Sequence, residues 1–420
     1  MPLSEIELST NQPAALKLDW QQKIARKLLF KALAALQGGR LTVIENGVSQ
    51  QFGEPQAALH ATMHIRDPRC YRQLLIGGSI GAAEAFIQAF WHSDDLTALV
   101  QLFAQNLRLL DQVEQRFSWL TRSVHLVKHR FSRNSVAGSK RNILAHYDLG
   151  NSLYQQFLDR DMLYSSAIYP HSDAGLEAAQ QHKLQLICER LDLRPGQTLL
   201  EIGTGWGALA IYAAKHYGVQ VTTTTISDAQ YQYAKARIEQ EGLSNNITLL
   251  QQDYRQLQGQ YDRVVSIEMI EAVGHEYLPG FFAKLNELLL PHGKLLLQAI
   301  TIADQRYASY RRGVDFIQRY IFPGGCLPSV TVMAQQLTAN TEMVMDSLYD
   351  FGGDYAYTLA DWQQRFVAAL PAVRGLGYGE DFIRMWRFYL SYCEGAFLAR
   401  AISVVHLTAA KADYRPQSVN

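Results

Sequence analysis

The sequence predicts an α/β protein with a doubly wound, mostly parallel sheet, preceded by a smaller N-terminal α+β domain. Three observations predict it. From residue 198 short apolar strands alternate with helical stretches, which is the rhythm of parallel βαβ units. A glycine-rich turn, Gly203-Thr204-Gly205-Trp206-Gly207, falls where the first of those strands passes into a helix. Upstream of residue 115 the pattern changes to an amphipathic helix, a hairpin signal and further helix.

The elements follow in order. In residues 14–37 Trp20, Ile24 and Leu28 recur every four positions, and Leu29, Leu33 and Leu36 extend the stripe. Lys23, Arg26, Lys27 and Lys31 populate the remainder, and Gly38-Gly39 ends the segment. This is an amphipathic helix with a basic polar side. LTVIENGVSQQFG then reads as a β-hairpin turning at Asn46-Gly47, a dipeptide suited to a type I′ turn. ALHATMHI adds an alternating strand, and residues 83–106 read as helical. Residues 1–115 are therefore expected to form one domain, 116–144 a basic linker, and 145–411 the larger domain.

In that larger domain TLLEIGTG is a strand running into the glycine turn, and WGALAIYAAKHYG is a helix. VQVTTTTIS, ITLLQQD, YDRVVSIE and PHGKLLLQAI are further strands, with helices at DAQYQYAKARIEQEG and YLPGFFAKLNELL. A Tyr/Arg-rich insertion at about 301–342 breaks the rhythm. Apolar helices follow near 358–370 and 379–400, and VVHLTAAK forms a last strand.

Composition bounds the function. At about 150 residues per domain, 420 residues suggest two or three domains. With 48% hydrophobic and 19% charged residues, disorder is excluded for most of the chain. Lys plus Arg and Asp plus Glu are 39 each, which argues against a nucleic-acid coat. Four scattered cysteines include no CxxC pair, so neither a zinc ribbon nor a dithiol motif is expected, no metal is assigned, and a reducing cytoplasm is the simpler setting. The first residues lack the features of a signal peptide, and no run of 18 apolar residues is present to span a bilayer.

Between Glu114 and Asp148 no acidic residue occurs, while Arg116, Arg122, Lys128, Arg130, Arg133, Lys140 and Arg141 all do. Such a run is either a solvated face or a contact for an anionic surface.

The glycine turn indicates a cofactor. Its spacing is GxGxG rather than the GxGxxG of dinucleotide binders, and Glu201 stands two residues before the first glycine. Glycines there permit a tight turn and close backbone approach to a ligand. A strand before, a helix after and no pyrophosphate spacing suit S-adenosylmethionine (SAM), against the blander reading of an ordinary strand–helix turn. The second strand ends Thr225-Ile226-Ser227, with Gln230 beyond, where an acid that holds ribose hydroxyls is usual.

That departure belongs with a larger set of ordered motifs: AHYDLGNSLY (145–154), MLYSSAIY (162–169), EIGTGWGALA (201–210), TTISDAQ (224–230), QDYR (252–255), EMIEAVG (268–274), YIFPGGCLPS (320–329) and FGGDYAYTL (351–359). Together they resemble the cyclopropane fatty acid synthase family, which includes the mycolic acid cyclopropane synthases. GGSIGAAEAFIQAFWHSDDL (77–96) resembles the lipid-binding-like domain of longer members. The resemblance implies a class I, Rossmann-like SAM methyltransferase fold. It also implies transfer of a methyl to the cis double bond of a lipid acyl chain through a carbocation, with bound bicarbonate as the base.

By the same resemblance SAM would meet Tyr164, Ser165, Glu201, Gly203, Gly205, Thr225, Gln230, Asp253 and Tyr254. The bicarbonate site would take Glu271, Tyr355 and the backbone of Ile300. Two positions depart from the family pattern: Ser166 stands at its Cys and Gln298 at its His. Ala272 follows the Glu where His is frequent. Ser and Gln still offer hydrogen bonds, but a side chain that titrates near neutral pH is lost. The expected product is accordingly a methyl-branched or methylene chain, with the ring as the alternative. A pseudoenzyme that binds lipid and SAM without turnover is the alternative of another class. Glu268, three residues before Glu271, reads as a cap for the following turn.

A buried acyl substrate sets further expectations. Exposing about sixteen carbons to water costs on the order of 10 kcal/mol, so the enzyme is expected to work on phospholipid at the inner face of a membrane, as a peripheral protein. The basic helix and the acid-free stretch suit an anionic membrane surface. The resemblance also implies a homodimer, and a methylene product implies an oxidoreductase partner. No nucleic-acid partner is expected.

Overall fold

The computed structural model describes residues 17–107 and 149–416. The chain divides into two compact units, residues 1–121 and 122–420. The basic linker expected at 116–144, with the whole acid-free stretch around it, lies outside the described residues.

In the first unit α1 spans Trp20–Leu33 and opens on a reciprocal capping box, Gln22 N to Asp19 Oδ1 at 2.8 Å and Asp19 N to Gln22 Oε1 at 2.9 Å. The hairpin forms as expected: β1 (Arg40–Glu45) and β2 (Val48–Gly53) are antiparallel, and Asn46 and Gly47 both carry the positive φ of a type I′ turn. β3 (His60–Ile65) lies parallel to β1, and β4 (Trp91–His92) closes the sheet in the order β2-β1-β3-β4.

Two expectations change. The single helix expected at 83–106 is two, α2 (Arg69–Ile87) and α3 (Leu96–Gln105). Ala89 adopts φ +57° between them, and Asp95 caps α3 by accepting from Ala98 N at 2.8 Å, so the chain has a stop and a start where composition alone reads continuity. The apolar stripe of α1 is also displaced. Ala25 and Phe30 face inward, with Phe30 against the rings of Phe52 and Tyr71, while Arg26 pairs with Glu45 at 2.7 Å. Trp20 and Ile24 are left 69% and 51% exposed.

The second unit carries a seven-stranded sheet. Its strands are β5 (Thr198–Ile202), β6 (Gln220–Thr225), β7 (Ile247–Gln251), β8 (Tyr261–Ile267), β9 (Leu289–Ile302), β10 (Val344–Asp350) and β11 (Ile402–Ala410), in the order β10-β11-β9-β8-β5-β6-β7. β5 to β9 are parallel, and β11 runs antiparallel to both of its neighbours. The sheet is thus mostly parallel and doubly wound.

Alternation along each strand fills two cores. Leu199, Val265 and Leu296 pack with Leu184 and Ile187 of α5 (Leu176–Arg190) and Leu209 of α6 (Ala208–Tyr217). Leu200, Val264, Leu295 and Leu297 pack on the other face with Phe281, Phe282 and Leu285 of α8 (Leu278–Leu288). Helix α7 (Asp228–Gln240) follows β6, and α4 is a single turn, Asn151–Tyr154. The insertion holds α9 (Asp304–Tyr310), a π-helical turn at Ile317–Ile321 and α10 (Val330–Asn340). Helices α11 (Gly352–Ala368), α12 (Leu370–Gly375) and α13 (Glu380–Leu398) complete the unit. Strand order reverses between β5 and β8, the place where open α/β sheets leave a crevice at their carboxyl ends.

Candidate active site

The glycine turn lies at that crevice. Gly203, Gly205 and Gly207 all have positive φ (103°, 52° and 91°), a backbone that residues with a Cβ rarely adopt. A Cβ on Gly203 would lie 3.7 Å from Met269, the residue after Glu268, so the turn and the end of β8 are immediate neighbours. Glu201 is buried beneath the turn and accepts from Thr223 Oγ1 at 2.5 Å, and burial pushes its carboxyl up to about 8. It is linked to the turn through Thr223, whose hydroxyl also lies 2.7 Å from Thr204 Oγ1. Thr225 donates to Gln230 Oε1 at 2.9 Å at the end of β6. Asp253 accepts from the Arg255 guanidinium at 2.8 and 2.7 Å, and Tyr254 packs edge-on against Phe281 at 5.4 Å. Backbone amides at the start of α6 and the open glycine turn form a cradle compatible with SAM.

The residues expected around bicarbonate converge, but on a side chain. Glu268 Oε1 accepts from Ser166 N at 2.9 Å and from Gln298 Nε2 at 2.7 Å, and its Oε2 accepts from the Tyr355 hydroxyl at 2.7 Å. The capping role expected of Glu268 is therefore corrected: the turn at Ile270–Ala272 has no side-chain cap, and the carboxylate points into the site. Glu268 itself sits at φ +46°, a left-handed backbone that is costly for a residue with a side chain and that often marks functional positions. Ser166 reaches Glu268 through its backbone N–H and not through its hydroxyl, which donates to the Ala167 carbonyl at 2.9 Å.

Glu271 stands beside this cluster with a different environment. Its Oε1 accepts from Ile300 N at 2.5 Å, and its Oε2 is buried without a partner. Burial, and then the neighbouring Glu268, push its carboxyl up to about 8. Glu268 is raised by burial too, but Ser166 N–H, Tyr355, Gln298 and the cation of Lys183 all oppose that shift. With three donors against one, Glu268 is the better stabilised of the two as a carboxylate, and Glu271 is the one that holds its proton more readily.

Sequence reasoning missed Lys183 and His406 altogether. Lys183 is fully buried and donates to Ser165 Oγ at 2.7 Å; burial lowers its ammonium to about 8. The signal available was a lone lysine within an otherwise core-facing stretch of α5. His406 is buried on β11 and lies 2.9 Å from Gln298 Oε1.

Aromatic rings lie beside this cluster. Tyr164 bonds Tyr389 hydroxyl to hydroxyl at 2.8 Å and stacks obliquely on Trp362 at 5.3 Å. Trp362 meets Tyr355 edge-on at 6.1 Å, and Phe397 lies 4.5 Å from Tyr355. A cluster of donors around one carboxylate, faced by rings and adjoining a cofactor cradle, can methylate an apolar acceptor and accept its proton.

The family model for mycolic acid cyclopropane synthetase matches residues 135–407. The chain belongs to this family. A cyclopropane-fatty-acyl-phospholipid synthase of Escherichia coli is 39% identical over 349 residues, 82% of this chain and 86% of that protein. The tuberculostearic acid methyltransferase UfaA1 of Mycobacterium tuberculosis is 33% identical over 424 residues, 96% of this chain and 98% of that protein. Among solved structures, the mycolic acid cyclopropane synthase CmaA1 in complex with SAH and CTAB superposes with a TM-score of 0.61 at 30% identity, over 65% of this chain and 98% of that one. The cyclopropane synthase MmaA2 of M. tuberculosis gives a TM-score of 0.61 at 31% identity, with the same coverage. As a cyclopropane-synthase-family protein with the class I fold and the cradle described above, the chain is a SAM-dependent methyltransferase. Among the described residues no helix is long and apolar enough to cross a membrane.

Proposed function

We propose that this enzyme methylates the cis double bond of phospholipid acyl chains and releases a methylene or, after reduction, a methyl-branched chain. The observation that carries the reading is the Glu268 carboxylate, which takes the donors of Ser166 N, Gln298 and Tyr355. Ser166, Gln298 and Tyr355 stand at three of the five positions that the family resemblance assigns to bicarbonate, and the other two, Glu271 and Ile300 N, bond each other. With them engaged, the residues do not fit a bound bicarbonate, and the base is the protein's own carboxylate. That relatives include both a phospholipid cyclopropane synthase and a tuberculostearic acid methyltransferase supports a lipid acyl acceptor.

SAM supplies an electrophilic methyl group to the alkene. The chain's own residues do the rest. The rings of Tyr164, Trp362 and Tyr355 exclude water and present negative π-faces to a lipid cation, worth about 1–2 kcal/mol each when desolvated. A hydride shift within the acyl chain places the cation on the methylated carbon. Glu268 then accepts a proton from the new methyl group, the C–H electrons form the C=CH₂ bond, and the carboxylate later returns the proton to solvent. A saturated methyl branch requires a hydride donor, which assigns that step to a separate oxidoreductase. Glu271, held neutral, leaves the negative charge on Glu268.

The ring-forming reading is favoured by one specific observation, the E. coli synthase at 39% identity. Methyl-labelled SAM and a monounsaturated phosphatidylglycerol, with and without bicarbonate, separate the two. The proposed reading expects bicarbonate-independent product that takes up hydrogen over a metal catalyst; a bicarbonate-dependent product that resists hydrogenation overturns it. Label in no lipid, with SAM bound, supports the pseudoenzyme.

Access to the bilayer is proposed through α1. Trp20, Lys23, Ile24, Lys27 and Lys31 all lie on its exposed side, three or four residues apart and hence on one face. Apolar anchors interleaved with ammonium groups match an anionic lipid interface.

A further inference from the structure

Three adjacent strands carry an unbroken line of hydrogen bonds into the site. Arg190, the last residue of α5, lies with Nη1 2.5 Å from His406 Nδ1. His406 Nε2 is 2.9 Å from Gln298 Oε1, and Gln298 Nε2 is 2.7 Å from Glu268 Oε1. His406 and Gln298 are direct partners in the β11–β9 register, and Gln298 pairs with Ile267, the residue before Glu268, in the β9–β8 register. The ladder itself sets these side chains in a row.

The direction of the line follows from its outer end. A guanidinium donates and cannot accept, so His406 Nδ1 must be the accepting nitrogen and the ring must be neutral with its proton on Nε2. That N–H then donates, so Gln298 must turn its carbonyl oxygen to His406. Its amide nitrogen is thereby turned to Glu268, and also to the Ser166 carbonyl at 3.3 Å. A flipped amide would set oxygen against a carboxylate and a carbonyl, and nitrogen against an N–H, so every contact would become repulsive. The surroundings agree: burial and the nearby cations of Arg190 and Lys183 hold His406 well below its ordinary value, and the Phe351 ring packs on it edge-on at 4.8 Å. Arg190 is itself held over the face of Tyr349 at 4.2 Å.

We propose that Arg190 and His406 are positioning residues that lock the Gln298 amide as a donor and so keep Glu268 ionised and aimed for proton removal. The proposal rests on the reading of Glu268 as the base, and adds to it a control element that lies one strand and one helix away from the reacting carbon. The charged and titratable groups that face Glu268 directly are Lys183, Glu271 and Tyr355. The relay acts in addition to them, through orientation rather than contact. A histidine on β11 thus takes part at a site where β9 carries glutamine.

The test reads Glu268 itself. In full-length protein labelled with ¹³C-carboxyl glutamate, the Glu268 signal is assigned by its loss in Glu268→Gln and followed against pH. His406→Phe is expected to raise the Glu268 titration by about one unit or more. It is also expected to lower kcat at neutral pH by about tenfold, while KM for SAM stays within twofold. Arg190→Met should act in the same direction and Arg190→Lys should restore most of the loss. Gln298→Met combined with His406→Phe should be no worse than Gln298→Met alone, since the relay acts only through that amide. An unmoved Glu268 titration in both His406→Phe and Arg190→Met overturns the relay, as does full additivity in the double variant. If no lipid is methylated, the NMR titration still decides the relay, and the failure then belongs to the reading of function. Should His406→Phe not fold, Arg190→Met and its lysine rescue carry the decision alone.

Discussion

Tyr355 on α11 donates to Glu268, at the end of β8, across 87 residues of sequence and 2.7 Å of space. This bond joins α11 to the carboxylate at the sheet edge. It also splits the roles of two acids. Glu268 has three donors to stabilise a negative charge, whereas Glu271 has one and is pushed up to about 8. Glu268→Gln preserves shape and abolishes the base, and it is expected to cost on the order of 10²–10⁴ in kcat. Tyr355→Phe removes one donor of three and should cost about tenfold, with the acid limb of the pH–rate profile moved upward. Both are measured by transfer of labelled methyl to phospholipid. Near-normal turnover in Glu268→Gln would place the base elsewhere.

Glu271 makes a prediction about stability rather than rate. Its folded value of about 8 lies above its ordinary value of 4.5. The folded state therefore binds the proton more tightly than the unfolded chain, and ionisation favours unfolding. The destabilisation grows as pH rises from about 4.5 toward about 8 and is constant above that. Each unit corresponds to about 1.4 kcal/mol, so a few kcal/mol are at stake. Glu271→Gln keeps the acceptor for Ile300 N and cannot ionise. Its melting temperature should fall less than that of the wild type between pH 5 and pH 9. Parallel curves for the two proteins would show that Glu271 is not held neutral.

Much of this is legible in the sequence, for reasons that differ by element. Strands β5 to β9 stand out because apolar runs and helical periods alternate without interruption. The glycine turn is legible because positive φ restricts the residues that can occupy it. The edge strand β10 is not, since its side chains are mostly exposed and no buried alternation marks it. The apolar positions of α1 suggest a packing stripe, although periodicity cannot tell a face that meets the protein from one that meets another surface. The largest miss is Glu268. Its partners come from positions 166, 298 and 355, and only the register of three elements brings them within hydrogen-bond reach. Lys183 and His406 are hidden for the same reason, because a buried charge or ring takes its meaning from tertiary neighbours.

The cofactor cradle can be tested without any lipid. Gly203 has φ +103° and Gly207 has φ +91°, and a Cβ added at Gly207 would stand 3.2 Å from Ala234 Cβ. Alanine at either site must strain the backbone, and at Gly207 it must also push α7 outward. Gly203→Ala is expected to weaken binding of S-adenosylhomocysteine by tenfold or more in calorimetry, with the melting temperature lowered by only a few degrees. Unchanged affinity in a folded Gly203→Ala variant would mean that the ligand does not lie against this turn.

The α1 face separates docking from chemistry. Trp20 and Ile24 are exposed while Ala25 and Phe30 hold the helix in place, so changes on the outer side should leave the fold intact. Trp20→Ala with Ile24→Ser removes the apolar anchors, and Lys23→Glu with Lys27→Glu reverses charge beside them. Each lysine near an anionic leaflet contributes about 1 kcal/mol, so reversing two should lower the partition onto phosphatidylglycerol vesicles by more than tenfold at low salt. Added salt should erase most of that difference, because screening acts within about 10 Å at 0.1 M. The apolar pair should instead lower binding at every ionic strength. Turnover on lipid dispersed in detergent should survive both changes, since no bilayer has to be reached. If vesicle binding is untouched by either pair, membrane docking runs through another part of the chain and the exposed ring of Trp20 must be covered by something else.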